Sequence, residues 1–270
     1  MSTAEQVIIR FGIFATALAL MLLWEWLRPF RDIPTAKLTR LANHLALMAL
    51  NFLFLRVLSG GGAYGTAVLE AENGWGLFHR YPLPSWLSFV LGLLLLDFAI
   101  YGQHVLFHKV AWLWRLHKVH HSDLDFDTTT AIRFHPVEIV LSMFYKMLLV
   151  LAFGIAADTV LVFEVLLNAC AQFNHGNVRL PAAVEGYLRW LLITPDFHRI
   201  HHSSETRETD TNFGFSVPWW DRLCGTYCAA PRMGQDGMEI GLKEERNRSR
   251  LGFFHLLLLP FRPRTIAVTR

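Results

Sequence analysis

The chain has 270 residues, 53% of them hydrophobic and 17% charged, with a formal net charge of +3. Soluble globules carry about a quarter charged residues, so a water-soluble domain is disfavoured, disorder is excluded, and the charge is too weak and scattered for nucleic acid. Three cysteines, Cys170, Cys224 and Cys228, form no zinc-knuckle pair and support no disulfide framework. Thirteen histidines spread evenly would place about one in any eighteen-residue window. Residues 104 to 121 nevertheless hold five, and residues 198 to 202 three more.

In chain order, Val7 to Trp24 is apolar apart from Arg10 and long enough to cross a bilayer, without the short core and cleavage site of a signal peptide. It reads as a retained first helix. Arg28, Arg31, Lys37 and Arg40 follow and mark a cytoplasmic loop. Ala42 to Leu58 is a second apolar segment, interrupted by His44, Asn51 and Arg56 and ended by Gly60-Gly61-Gly62. Residues 60–85, poor in basic side chains, are predicted to be an outside loop, with the N-terminus also outside. Trp86 to Tyr101 is a third helix returning to the cytoplasm. Val137 to Ala157 and Thr159 to Ala171 form a helical hairpin broken at Gly154 to Asp158. Glu138, Lys146 and Glu164 within it are expected to pair with one another. Tyr187 to Leu192 resembles a helix lying in the interface, and Leu251 to Phe261 is apolar but too short to span. The predicted class is an all-α integral membrane protein of four or five spans, with residues 28–41, 105–136 and 176–270 cytoplasmic. Residues 1–93 form an N-terminal membrane part, 94–230 the histidine-bearing region, and 231–270 a tail.

The histidines fall into three sets. His104 and His108 lie one helical turn apart, about 40° apart around the axis. His117, His120 and His121 lie within roughly 100° of one face, and His198, His201 and His202 repeat that spacing. Eight imidazoles exceed what one ion of about four to six ligands needs, so two metals are the economical reading. Singly, a histidine is more often a buried side chain bonded to a carbonyl, and that reading holds for His44, His79 and His255. Asp97, inside an apolar span, is expected to orient an imidazole from another helix, or else to make a helix–helix hydrogen bond. Asn212 and Asp221 are candidates to support the ligands from behind, or are turn and capping residues.

The series His104-x-x-x-His108, His117-x-x-His120-His121 and His198-x-x-His201-His202 is followed by Asp210-Thr-Asn212-Phe-Gly214 and by Trp220-Asp221-Arg222-Leu-Cys-Gly225-Thr226-Tyr227. Over residues 94 to 230 this resembles the fatty acid hydroxylase and sterol desaturase superfamily. The resemblance implies an integral membrane oxygenase or desaturase with a non-haem centre of two iron ions, dioxygen as co-substrate, a membrane lipid as substrate, and electrons from an external donor. It carries the eight histidines over as ligands, adds His175 as a ninth, and matches His135 to a histidine present in part of the superfamily, a tenth candidate. Many relatives have a basic residue after the first histidine where this chain has Val105, a departure in the surroundings of the ligands that bears on substrate type.

The chain contains no dinucleotide-binding glycine loop and no iron–sulfur cysteine set, so the donor is expected to be a separate protein of cytochrome or ferredoxin type. Arg115, Lys118 and Arg133 are its candidate docking residues. Zinc is a foreseeable substitute for iron in isolated protein. The rival expectations are a zinc-dependent hydrolase, with Asp196 or Glu205 as base, and a metal transporter, whose ligands would lie nearer the bilayer midplane.

Overall fold

A computed structural model describes residues 3–33, 37–248 and 251–262. Residues 34–36 of the first predicted cytoplasmic loop and 249–250 and 263–270 of the predicted tail lie outside the described residues. Among the described residues the chain is helical, with one isolated bridge, Ser203 to Ile240, and no strand. Its elements are α1 (Thr3–Leu27), α2 (Lys37–Leu58), α3 (Gly62–Asn73), α4 (Leu77–Arg80), α5 (Ser85–Lys109), α6 (Ala111–His121), α7 (Pro136–Phe153), α8 (Ala157–Asn174), α9 (Ala182–Leu188), α10 (Pro195–His201), α11 (Thr206–Thr209) and α12 (Trp219–Cys224), with short helices at Gly234–Gly237 and Phe253–Leu258.

Four stretches are long and apolar enough to cross a membrane: Glu5–Leu27, Lys37–Arg80, Ser85–Lys109 and Pro136–Phe153. Their outward side chains, such as Phe11, Leu20, Leu53, Val57, Trp86 and Leu148, are apolar and exposed, as hydrocarbon surroundings require. The second stretch corrects the expectation of an outside loop over residues 60–85. Gly60 and Gly62 adopt positive φ and break the helix. The chain then continues as α3 alongside α7, with Gly62 beside Met143 and Glu70 beside Gly154. Ala63, Ala67 and Glu70 are buried there. Small residues let α3 approach closely, so α2 and α3 make one broken crossing.

The break between α7 and α8 falls where predicted, but the two helices do not pack as a tight hairpin: α3 packs against both. Gly154 caps α7 at φ 69°, and a Cβ on Gly76 would come within 2.2 Å of the Gly154 nitrogen, so backbone touches backbone at this end of the bundle. The helix α8 carries Asp158, Glu164, Asn168 and Gln172, packs against α1, α3 and α5, and returns the chain to the end where the histidines lie. Ala63, Ala67, Leu96, Ile100, Val150, Ile155, Val160 and Phe163 form the core between these helices.

A cap covers the histidine end. Arg40, at the start of α2, donates to Asp123 (Nε to Oδ1 3.0 Å, Nη2 to Oδ2 2.7 Å), to Asp127 and to Thr130. Glu25, at the end of α1, accepts from the amides of Thr128 and Asn177 at 2.7 and 2.8 Å. Leu256 and Leu259 of the apolar tail segment bury against Leu47 and Val119. The segment is therefore a lid on α2 and α6. Around α9, Tyr187, Trp190 and Leu191 are exposed, the amphipathic surface expected of an interfacial segment.

The three solitary histidines face side chains, where carbonyls were expected. His44 pairs with Thr129 at 2.9 Å and with Arg133 at 3.1 Å, His79 lies 3.1 Å from Glu70, and His255 lies 3.4 Å from Glu245. Of the predicted docking residues only Arg115 is exposed. Lys118 is buried, and Arg133 is buried with its guanidinium on Val119 and Ser122, which removes both from any surface.

Candidate metal centre

Four elements converge at the cap end. The last turns of α5 present His104 and His108, after which Val110 takes an extended conformation (φ −96°, ψ 116°) and α6 begins. His117, His120 and His121 lie in its last turn. His175 ends α8. In α10, Thr194 caps the N-terminus by accepting from the Phe197 amide, and His198, His201 and His202 follow. Neighbouring positions on a helix are about 100° apart, so His120 and His121, like His201 and His202, address different centres. The structure sorts the nine rings accordingly. His104, His108, His117, His121 and His201 form one group and His120, His175, His198 and His202 another, with candidate ligand atoms within 4.8 Å of one another in each group. The two groups abut, with the rings of His121 and His202 stacked at 4.5 Å between centroids.

Hydrogen bonds behind the rings fix their tautomers. Three Nδ1–H groups donate to carbonyls, which have no proton to give: His104 to that of Phe213 (2.7 Å), His201 to that of Thr211 (2.8 Å) and His175 to that of Ala171 (2.7 Å); Nδ1 of His117 lies 2.6 Å from the buried Glu138 carboxyl group. Asp210 lies 3.4 Å from Nδ1 of His108. The Nε2 of each carbonyl-bound ring is then a lone pair directed into its group. His104 and His117 face each other Nε2 to Nε2 at 3.1 Å. His108, His121 and His201 each have a buried Nε2 without a partner, and both ring nitrogens of His202 are likewise unpartnered. Buried polar atoms are nearly always satisfied. A cation in the five-histidine group would satisfy the Nε2 atoms of His108, His121 and His201 together, and behind His104, His108, His117 and His201 the far nitrogen faces an oxygen, as in metal-ligating imidazoles generally.

Burial keeps the rings in the form that binds metal. It pushes His117 down to about 3, and burial together with neighbouring imidazoles holds His120, His121, His198, His201 and His202 well below the usual histidine range. At neutral pH the imidazoles are uncharged. The donor set, all nitrogen and compact, suits a first-row transition metal and not magnesium or calcium.

Other predicted site residues lie elsewhere. His135 joins neither group. It is the N-cap of α7, its Nδ1 accepting from the Val137 amide at 3.2 Å while Nε2 contacts the Leu257 carbonyl at 3.3 Å. Asp97 orients no imidazole. It accepts 2.7 Å from the Trp220 indole and fastens α12 to α5, the helix–helix bond foreseen as its other reading. Asn212 touches no histidine ring. In a left-handed conformation (φ 55°), it donates to the carbonyls of Phe197 and Cys228 and accepts from the Cys228 amide. Its neighbours Thr211 and Phe213 supply the carbonyls behind His201 and His104, so it holds the loop that holds the ligands. Asp221 fastens the same loop through the amides of Phe213 and Gly214, each at 2.8 Å.

Glu138 and Asp210 are the site residues that sequence reasoning missed. Glu138 was expected to pair with Lys146 and Glu164, which do pair, at 3.0 Å, but without it. A carboxylate in the first turn of an apolar helix is the signal that could have marked it, since such a charge needs a partner. Replacing Glu138 by Gln should lower metal affinity by about 10- to 100-fold. Competition with a chelator in detergent checks this, and an unchanged affinity would detach Glu138 from the centre.

Helices long and apolar enough to cross a membrane, closing on buried histidine groups that could hold metal, define the class of protein. Residues 89–226, just over half the chain, match the family model described as fatty acid hydroxylase, and the chain belongs to that family. It is 26% identical over 254 residues to ornithine lipid hydroxylase OlsE of Rhizobium tropici, covering 92% of this chain and 74% of the relative. It is 34% identical over 147 residues to the alkylglycerol monooxygenase of Xenopus tropicalis (54% of this chain, 31% of the relative). It is also 32% identical over 153 residues to the cholesterol 25-hydroxylase of Rattus norvegicus (55% and 50%). The chain thus spans about a third of the frog enzyme and half of the rat one. No solved structure matches.

Proposed function

We propose that the two histidine groups each hold one iron ion, and that the chain is a dioxygen-dependent hydroxylase of a membrane lipid, fed with electrons by a separate protein. The observation that carries this reading is a largely apolar cavity of about 430 Å³ between the crossings, which has His104 and His117 in its wall. When bound, the metal pair supplies the redox power to activate dioxygen and attack an unactivated C–H bond.

This chain's residues do the rest. Ile100, Phe107, Ile139, Met143 and Leu167 line the cavity, exclude water and bring an aliphatic chain against the first group. Glu138, Asp210 and the carbonyls of Thr211 and Phe213 keep Nδ1 protonated and the lone pairs aimed inward. The relatives are hydroxylases and a monooxygenase by name, which favours hydroxylation over desaturation. The catalytic region is residues 94–230. Residues 1–93 contribute Phe14, Phe52 and Leu55 to the cavity wall, and Arg248, Leu256 and Leu259 of the tail close the cap. The basic residues that follow α1 and α5 favour a cytoplasmic position for the histidine end.

Hydrolysis by bound zinc is less well supported, because Asp196 is engaged by Arg199 at 2.5 Å and Glu205 by Lys243 at 2.7 Å, and neither belongs to either group. A transporter is disfavoured because the ligands cluster at one end of the helices. Protein loaded anaerobically with ferrous iron, then given reductant and membrane lipid, should consume oxygen. Zinc-loaded protein should not, since zinc has no redox change. Uptake that ignores the metal supplied would refute the proposal.

A further inference from the structure

The cavity that ends on His104 and His117 also contains Arg10, Lys146 and Glu164, one each from α1, α7 and α8. Each lies seven residues, about 10 Å, from the end of its helix farthest from the histidines, so the three share one depth. Glu164 is shared between the two cations: Oε1 accepts from Lys146 Nζ at 3.0 Å and Oε2 lies 2.7 Å from Arg10 Nη2. The cluster therefore carries two positive charges against one negative. Arg10, whose side chain is 32% exposed and lies over the Tyr64 ring, keeps a buried Nε without a hydrogen-bond partner, and a lysine with one of three donors on Glu164 has others to spend. A net charge inside a membrane bundle is costly and is held where a ligand or an ion path uses it. A pair needed only to fasten helices would be neutral.

Along α7, Lys146 lies eight residues from Glu138, the residue behind His117, a separation of about 12 Å. Between the two ends the walls are mainly apolar. We infer that the cavity selects a lipid with a single anionic group, a carboxylate or a phosphate, which Arg10 and Lys146 hold while its aliphatic chain runs to the histidines. This rests on the lipid-oxidising reading of the cavity and adds the substrate class.

Binding measured without turnover tests it. In detergent or nanodiscs, the full chain is titrated with palmitate, hexadecyl phosphate and the uncharged methyl palmitate, displacing a fluorescent fatty acid. The unsubstituted protein should hold one or both anions about tenfold or more tighter than the ester, the scale of charge-assisted hydrogen bonds. The tighter of the two identifies the anion. Lys146→Met and Arg10→Met should each bring the anion down towards the ester, whereas Glu164→Gln, which raises the net positive charge, should tighten anion binding. That opposition of sign separates recognition from helix fastening, because a fastening role predicts that all three substitutions weaken all three probes alike. No anion preference, or uniform weakening, would overturn the inference. Should Glu164→Gln fail to fold, the two methionine variants still decide it. Lipid hydroxylation without anion preference would remove only this inference. Anion preference without oxygen consumption would remove the oxygenase reading instead.

Discussion

Alanine in place of His201 or of His202 is expected to reduce hydroxylation to background, with each variant retaining about one of the two metals. The two histidines are adjacent, yet one belongs to the five-histidine group and the other to the four-histidine group. Both rings are buried, and neither has its inward nitrogen satisfied by protein. Loss of either therefore empties one centre while the helices that carry most of the apolar burial stay in place. Metal analysis beside a thermal melt in detergent checks this. Unchanged metal content in both variants would show that the rings only pack.

Arg40→Met should destabilise the cap by about 3–5 kcal/mol, the cost of removing one partner from a buried ion pair. Arg40 is 6% exposed and binds Asp123 and Asp127, both buried in the loop that follows α6. Without it, two carboxylates remain in a dry interior with Arg133, 3.9 Å from Asp123, as the nearby compensating charge. Because this loop leads from His121 to α7 and Glu138, the centre should loosen with it. Denaturant unfolding followed by tryptophan fluorescence measures the change, and a loss below about 1 kcal/mol would mean that the arginine belongs to an exposed, screened surface.

The crossings and the histidine sets were legible because both rest on local periodicity. Apolar runs of bilayer length announce α1, α5 and α7, and a spacing of three or four residues places two rings on one side of a helix. What periodicity does not carry is the partner across space. The three motifs do not map onto centres one by one: His120 leaves the company of His117 and His121 and joins His175 and His198. Asp97 reads as a ligand's support from its helix face, yet the partner that reaches it is Trp220, more than a hundred residues later. Glu138 was paired on charge with Lys146, yet eight residues of helix separate them and His117 is nearer. The α3 helix was hidden for a different reason. Its sequence is rich in glycine and alanine with two glutamates, a composition that suits a loop until the neighbouring α7 supplies the surface on which small residues pack.

The most direct test is isotopic. Iron-loaded protein given reductant, membrane lipid and labelled dioxygen should place one labelled oxygen atom in a lipid product, and the product should be absent when His104 and His202 are both replaced by alanine. A lipid product whose oxygen comes from water, or one formed equally in the absence of dioxygen, would contradict the assignment of the two histidine groups to an oxygen-activating metal pair.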